Sequence, residues 1–240
     1  MDRPQVPSVL YRDESIVVAV KPAGMPSESD PTGAPDMCSL LSEGESSLFS
    51  VHRLDRVTGG IMVFARTKKA ASVLSRAIAS GEEGDDRDFT KIYFAIAAGE
   101  IRENFSRTDY LTRDARLGRA KVVTKETTGA RRATLSAAPL ACATVEGTPA
   151  TLLAVKLETG RFHQIRAQLS YAGHPLLGDG KYGSRVRCPL ALFAGYLAFS
   201  HPAHGGRVSF SCLPPREKPW TAFDTLTENL TAEELPLLFL

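Results

Sequence analysis

The spacing of apolar residues along this chain predicts a sheet with a few helices. Short apolar runs bounded by polar or turn-forming residues predict strands over 15–20, 61–65 and 152–157. Residues 92–97 alternate in a way that predicts a further strand, with Tyr93 on the face opposite the isoleucines. These segments need partner strands to bury their apolar faces.

Two segments show helical spacing instead. Apolar residues recur every three or four positions over 68–80, and the hydrophilic stretch 81–88, which opens with a glycine, predicts a loop after that helix. A second helix is expected from about His163 to Gly173, with Arg166 in its first turn. Strands joined by both loops and helices predict an α+β fold with a mixed sheet rather than a doubly wound one.

Composition narrows the class of protein. The chain has 240 residues, 43% hydrophobic and 23% charged, which suits one globular domain or two small lobes sharing a core. No run approaches the ~20 apolar residues of a membrane helix, and the N-terminus has no apolar signal region, so a cytoplasmic protein is expected. Four cysteines without a Cys-x-x-Cys pair favour reduced buried thiols over disulfides or a metal site: Cys38, Cys142, Cys188 and Cys212.

Charge is unevenly distributed along the chain. The formal net charge is only +2, so composition alone does not indicate a nucleic-acid partner. The segment 113–132, however, holds seven lysines and arginines against two acidic residues, and Arg66, Lys68 and Lys69 form a second basic cluster. Each cluster is either a solvated face or part of a phosphate-binding surface, and the sequence leaves both interpretations open.

Three polar stretches at the ends of apolar runs carry the candidate chemistry. They cover 52–60, 91–93 and 158–166, and they supply a carboxylate, a phenol and arginines. An ionised carboxylate such as Asp55 can act as a nucleophile or stabilise a cationic sugar, and a guanidinium such as that of Arg166 would keep it ionised. A tyrosine ring offers a stacking surface for a base, worth roughly 1–3 kcal/mol. This set fits a reaction at a nucleotide's glycosidic bond.

The same stretches together resemble the RluA-type pseudouridine synthases. The residues that carry the resemblance are His52-Arg53-Leu54-Asp55 with Thr58 and Gly60, Lys91-x-Tyr93, and Thr159-Gly160-Arg161-x-His163-Gln164-Ile165-Arg166. Further matches are Lys21-Pro22-x-Gly24, Gly173-x-Pro175-Leu176-x-Gly178-Asp179 with Lys181-Tyr182-Gly183, and Leu197-x-Phe199-x-His201-Pro202. The ordered set spans roughly residues 10–215 and is far more specific than any one motif.

The resemblance implies a reaction and roles for its residues. Asp55 would attack the target uridine at the sugar C1′ or at the base, so that uracil detaches, rotates and rejoins through C5. Tyr93 would stack on the flipped uracil and assist proton removal, and Arg166 would pair with Asp55. Arg53 would fill the space left by the extruded nucleotide. RNA or substrate contacts are expected from His52, Arg53, Lys91, Arg161, His163 and Ile165.

The resemblance also implies a fold and partners. The expected fold is α+β, with a mixed, mainly antiparallel twisted sheet and flanking helices and loops. We expect one catalytic domain over 1–240, with its core at about 10–215, a tail at 216–240 and no separate N-terminal RNA-binding domain. The expected partner is ribosomal or transfer RNA, with no membrane, no obligatory protein partner and a monomeric state. No cofactor and no metal are implied.

The chain departs from the family pattern at two positions. Gly59 stands where the family usually has serine, and Gln168 stands where it often has histidine. Gly59 adds backbone freedom near Asp55, while Gln168 keeps hydrogen-bonding capacity, so neither change removes a reacting group. Asp179 is interpreted as a turn residue and is left out of the catalytic set.

Two other functions remain to be weighed. A glycoside hydrolase could use Asp55 on a sugar, but no second carboxylate lies within 52–60 to act as the general acid. A non-catalytic RNA-binding or RNA-chaperone protein of the same fold is the stronger alternative. Retention of Asp55, Tyr93 and Arg166 argues against it.

Overall fold

The structure is a computed structural model whose residues form two compact units. Unit 1 comprises Met1–Lys91 and Phe193–Cys212, and unit 2 comprises Ile92–Leu192 and Leu213–Leu240. The structure describes residues 6–42, 48–83, 88–224, 231 and 234–239.

Strands outnumber helices in both units. In chain order the elements are β1 (Ser8–Arg12), β2 (Ile16–Lys21), α1 (Met37–Ser42), β3 (Phe49–Ser50), β4 (Gly59–Ala65), α2 (Lys68–Glu83), β5 (Phe89–Ala98), β6 (Phe105–Asp114), β7 (Arg119–Val123), β8 (Arg131–Val145), β9 (Thr148–Leu157), α3 (Gln164–Tyr171), β10 (Leu192–Ser200), β11 (Arg207–Ser211) and α4 (Glu234–Leu237). Two 3-10 helices cover Gly180–Tyr182 and Trp220–Phe223.

Unit 1 is organised around β4, which is buried along its whole length. It pairs antiparallel with β2 and parallel with β10, while β1 and β11 pair antiparallel with β2 and β10 respectively. Helix α2 packs Ala70 and Leu74 against Ile61 and Val63, which are all buried. Apolar side chains cover β4 on both sides, which explains why its sequence is an unbroken apolar run.

Unit 2 is a set of long antiparallel strands with one helix packed on it. Strand β8 pairs antiparallel with β6 and β9, and β6 pairs with β7. Under α3 lies a small apolar core of Leu111, Ala120, Ala133, Ala167 and Tyr182. Helix α3 is thereby fixed against the strands, together with the residues at its N-terminus.

The predicted fold class is confirmed, with local corrections. The sheet is mixed and mainly antiparallel, and α3 begins where helical spacing predicted it. Helix α2 continues to Glu83, three residues beyond its predicted end at residue 80, because a glycine weakens a helix by only about 1 kcal/mol and does not remove its hydrogen bonds. The rest of the predicted 81–88 loop falls largely on 84–87, outside the described residues. Strands β6, β7 and β8 lie within 105–145, where apolar spacing predicts no strand.

The cysteines differ from their prediction in burial. All four are free thiols, but Cys142 is exposed on β8 and the other three are only half-buried. The expectation of buried thiols was therefore wrong. At Cys142 the reason is that this position of β8 faces solvent. Among the described residues, no helix combines the length and apolar character required to span a membrane.

Candidate active site

Asp55 lies in unit 1 on a turn whose backbone is fixed on both sides. The Thr58 N–H donates to the Asp55 carbonyl at 2.9 Å, which closes the turn. One residue earlier, the buried Ser27 hydroxyl accepts the Leu54 N–H at 3.2 Å and donates to the Leu54 carbonyl at 3.0 Å. The carboxylate of Asp55 is half-buried. The loop therefore presents this side chain from a defined backbone position.

A fully buried lysine holds the same turn from within unit 1. The Lys21 ammonium donates to the carbonyls of Pro22, Met25 and Arg56 at 3.0, 2.7 and 3.0 Å. Burial lowers the pKa of Lys21 to about 7, and attraction to the Asp55 carboxylate opposes that shift. Three neutral carbonyls thus replace the water that the ammonium loses, and they join the two loops around Asp55.

His52 is held by the backbone of β4. Its Nε2 accepts the Val63 N–H at 3.1 Å, so the neutral ring carries its proton on Nδ1. Burial, with a smaller effect of the Lys91 cation, lowers the pKa of His52 to about 3. The Lys91 ammonium lies 5.5 Å from the Phe89 ring centroid, and the His52 ring packs edge-on against the same phenylalanine. His52 therefore anchors the loop that carries Arg53 and Asp55.

Arg53 and the two glycines of the motif differ sharply in their surroundings. The Arg53 side chain is 73% exposed and forms an ion pair with Glu28 at 2.8 Å. Gly60 has φ of 126°, and a Cβ there would lie 2.4 Å from the backbone nitrogen and oxygen of Ala194. A Cβ on Gly59 would meet its nearest neighbours at 3.3 Å. The close approach of β10 thus requires glycine at position 60, whereas a side chain at position 59 would be crowded but not excluded.

In unit 2, the segment before α3 is fixed by one buried glutamine. The Gln164 Oε1 accepts the Thr159 hydroxyl at 2.8 Å and the Arg161 N–H at 3.0 Å, and its Nε2 donates to the Thr134 carbonyl at 3.0 Å. His163 precedes α3 with φ of 50°, a left-handed conformation that is uncommon for a residue with a side chain. The backbone conformation of His163 therefore sets the direction in which α3 begins.

Arg166 lies in a buried side-chain network, which we call the arginine cluster: Arg166, Asp179, His163 and Tyr182. Its Nε and Nη2 donate to the two carboxylate oxygens of Asp179 at 2.7 and 2.9 Å. Its Nη1 contacts His163 Nε2 at 2.8 Å, and the guanidinium carbon lies 5.0 Å from the Tyr182 ring centroid. Both charged partners are almost fully buried. Asp179 does form the predicted turn, since its carbonyl accepts the N–H groups of Tyr182 and Ser184, and its side chain has the additional role of binding Arg166.

The protonation state of His163 follows from its partners. An arginine can only donate, so Nε2 of His163 is the acceptor and Nδ1 donates to the Tyr182 hydroxyl at 2.9 Å. Burial, followed by the positive charge of Arg166, lowers the pKa of His163 to about 3, and Asp179 opposes the shift. The Tyr182 oxygen also accepts the Ala120 N–H at 2.7 Å, which connects the cluster to β7.

The other predicted residues of unit 2 occupy different environments. Tyr93 is buried on β5 and Ile165 is buried on α3. Arg161 donates from Nε to the Arg132 carbonyl at 3.1 Å. The predicted pairing of Asp55 with Arg166 joins the two units and stays a prediction. Gln168 donates from Nε2 to Asp109 at 2.8 Å and to the Ala133 carbonyl at 3.1 Å, which confirms that it keeps a hydrogen-bonding role.

A second feature beside the arginine cluster was not predicted from the sequence. Phe162 is exposed, and its ring stacks on that of His163 at a centroid distance of 3.8 Å. The Arg113 guanidinium carbon lies 4.7 Å from the Phe162 centroid. The only signal in the sequence was an aromatic residue at the variable position of Gly160-Arg161-x-His163. Arg113 thereby links the basic segment 113–132 to the motif.

Comparison with known proteins places these features in a family context. The model of the RNA pseudouridylate synthase family matches residues 15–171. Ribosomal large subunit pseudouridine synthase D of Pseudomonas aeruginosa is 33% identical, and the match covers 88% of this chain and 69% of the relative. tRNA pseudouridine synthase C of Haemophilus ducreyi is 28% identical, covering 85% and 90% respectively.

Solved structures show the same fold. Human RNA pseudouridylate synthase domain containing 1 superposes with a TM-score of 0.72 at 24% identity, covering 91% of this chain and 88% of its own. Human RNA pseudouridylate synthase domain containing 4 gives a TM-score of 0.66 at 23% identity, covering 87% and 89%. At these identities the likeness concerns the fold alone.

Proposed function

The chain belongs to the RNA pseudouridylate synthase family, so it is an isomerase of uridine in RNA, and we propose that Asp55 carries out the reaction on ribosomal or transfer RNA. In this reaction the C1′–N1 bond breaks and a C1′–C5 bond forms. The hydrogen on C5 leaves as a proton and N1 gains one, so the base is rearranged without net oxidation. The matched relatives are named as synthases, and none supports a non-catalytic RNA-binding protein.

The observation that carries the role of Asp55 is its position beside Lys21. The carboxylate is half-buried on a turn that Lys21 and Ser27 hold in place. The attraction that raises the Lys21 pKa also favours the ionised carboxylate, which a nucleophile requires. A preorganised, charged carboxylate on a rigid turn suits attack on a flipped uridine.

The family resemblance supports roles for the remaining residues, and their environments refine two of them. Tyr93 stacks on the uracil, Ile165 packs against its other face, and Arg166 pairs with Asp55. Exposed Arg53 enters the RNA helix in place of the flipped base, and Lys91 and Arg161 contact the RNA backbone. His52 and His163 hydrogen-bond to protein groups, so we assign them the support of the loops that carry these arginines. The whole chain acts as one catalytic domain, as a monomer in the cytoplasm.

The test is tritium release from RNA that carries [5-³H]uridine, prepared from a strain lacking the enzyme. Wild type is expected to release tritium, whereas Asp55→Asn, which keeps the size of the side chain, reduces release by about 10⁴-fold or more with RNA binding retained. Asp30→Asn is the matched control, because Asp30 contacts Arg56 in the neighbouring loop but has no assigned role in the reaction. Equal release from wild type and Asp55→Asn would rule out Asp55 as the nucleophile.

The same assay identifies the substrate. Size-fractionated large ribosomal RNA and transfer RNA are assayed separately, and stoichiometric release is expected from only one of them. Release from neither fraction, with binding to both, would instead support the non-catalytic RNA-binding protein. Sedimentation velocity at micromolar concentration tests the monomeric state.

A further inference from the structure

Asp179 lies outside the proposed catalytic set and contacts one of its members, Arg166, directly. It is only 2% exposed, and both carboxylate oxygens are engaged by Arg166 in a two-point contact. Two parallel N–H···O contacts constrain the plane of a guanidinium as well as its position. A single contact would leave the guanidinium free to rotate about one axis.

The backbone that carries Asp179 is itself tightly constrained. The Asp179 carbonyl accepts the N–H groups of Tyr182 and Ser184, both at 3.0 Å. The preceding residue, Gly178, has φ of 76°, and a Cβ there would lie 2.3 Å from the Pro189 carbonyl oxygen. Since neither the turn nor its neighbours can shift easily, the carboxylate occupies its place before any substrate binds.

The rest of the arginine cluster completes the orientation of Arg166. Nη1 contacts His163 Nε2 and the ring of Tyr182 lies over the guanidinium. Together with the two bonds to Asp179, these contacts fix the plane of the guanidinium and the directions of its N–H donors. The direction from which Arg166 meets a second carboxylate is therefore determined by where Asp179 holds it.

We propose that Asp179 is a positioning residue for uridine isomerisation, acting by fixing the guanidinium of Arg166 against a rigid turn. This inference rests on the proposed function, in which Arg166 pairs with Asp55. Misplacement of a catalytic group by about 1 Å can cost on the order of 10²-fold in rate. Asp179→Asn keeps the shape of the side chain but replaces one acceptor oxygen with a donor that opposes the arginine. The guanidinium then loses its two-point contact.

The experiment measures kcat and KM for tritium release from [5-³H]uridine RNA. For Asp179→Asn we expect kcat to fall about 100-fold with KM unchanged within about 3-fold, because the RNA-binding surface is untouched. In an Arg166→Ala background, Asp179→Asn should reduce kcat no further, since it acts only through that arginine. A purely structural residue would lower the fraction of active enzyme in both backgrounds.

Asp109 supplies a matched control in the same unit. It forms its own two-point contact with Arg107, at 3.2 and 3.1 Å, and it accepts a hydrogen bond from Gln168 on α3. Asp109→Asn therefore removes the same kind of ion pair beside the same helix, but its arginine has no assigned role. Its kcat should stay within about 3-fold of wild type once the folded fraction has been measured by circular dichroism.

The outcomes separate this inference from the function on which it rests. If wild type releases no tritium, the proposed function fails and the inference fails with it. If wild type is active and folded Asp179→Asn keeps kcat within 3-fold, only the inference is overturned. Should the asparagine variant fail to fold, Asp179→Glu, which keeps the charge but displaces it by a methylene, decides the matter. A folded glutamate variant with normal kcat overturns the inference, and one with lowered kcat and normal KM supports it.

Discussion

The surroundings of Asp55 and the arginine cluster hold buried ionisable side chains in two different ways. In unit 1, Lys21 donates only to backbone carbonyls and His52 accepts from a backbone N–H. In unit 2, Arg166 is neutralised by the carboxylate of Asp179. A backbone partner is present whatever the neighbouring side chains are, whereas a side-chain partner can be removed by one substitution. The arginine cluster should therefore be the more sensitive of the two.

The largest expected effect comes from breaking the arginine cluster. Arg166→Met leaves the Asp179 carboxylate buried without its partner, which should lower the free energy of unfolding by about 3–5 kcal/mol. Urea denaturation measures this loss. Arg107→Met is the control, because its more exposed ion pair with Asp109 should account for only about 1 kcal/mol.

A second substitution sharpens that prediction. If the loss arises from the unpaired carboxylate, Arg166→Met combined with Asp179→Leu should recover part of the stability, because the buried charge is then gone. A double variant as unstable as the sum of the two single variants would show that the two residues are not coupled.

Lys21→Met should have a smaller effect on stability, of about 2 kcal/mol, because three carbonyls lose a donor, while Asp55, which loses the attraction of the ammonium, is only half-buried. Its pH dependence is distinctive. The native pKa is about 7 and the unfolded value about 10.5, so between these pH values only the unfolded chain binds the proton. The contribution of Lys21 to the free energy of unfolding of the wild type therefore rises with pH from 7 to 10.5 and is constant below 7.

The difference in unfolding free energy between wild type and Lys21→Met, measured by urea denaturation at several pH values, should follow this course. A difference independent of pH between 7 and 9.5 would show that the ammonium stays charged in the native state. Lys21 would then be permanently charged, as Arg166 is, and the surroundings of Asp55 would differ less from the arginine cluster.

The two histidines allow a finer comparison. The pKa values of His52 and His163 are both about 3 in the native state, against 6.5 unfolded. Both therefore contribute stability that is present above pH 6.5 and is lost as pH falls toward 3. His52→Gln should reduce the loss between pH 7 and 5.5 by about 1 kcal/mol, and His163→Gln should reduce it by less, because solvent screens this more exposed ring. Equal acid sensitivity in wild type and both variants would contradict this.

The smallest effect on stability is expected at the exposed end of unit 2. Arg131→Glu with Arg132→Glu should change the unfolding free energy by less than about 0.5 kcal/mol, since both side chains are exposed on β8. RNA affinity should fall and its salt dependence should flatten, because phosphate contacts are lost. Reversal of Arg102 and Lys218, which are also exposed in unit 2, controls for net charge. An unchanged salt slope would exclude this surface from RNA binding.

Some parts of the site could be predicted from local sequence and others could not. Apolar spacing placed β2, β4, β9 and α3, because each buries a face whose period is visible in the chain. Strands β6 and β7 were not predicted, because their outer residues are charged and apolar residues do not alternate regularly along them. Helix α1 is too short to show a helical period.

What the sequence determined by itself was the family, the mainly antiparallel α+β fold, and the identity of Asp55, Tyr93 and Arg166 as the residues to test. Each depends on residue types in a fixed order, which a single chain displays. Only the tertiary structure decided that Asp179 neutralises Arg166 and that Lys21 donates to three carbonyls around Asp55. Partners such as these are chosen by folding, since a buried charge takes whichever acceptor the packed chain brings within reach.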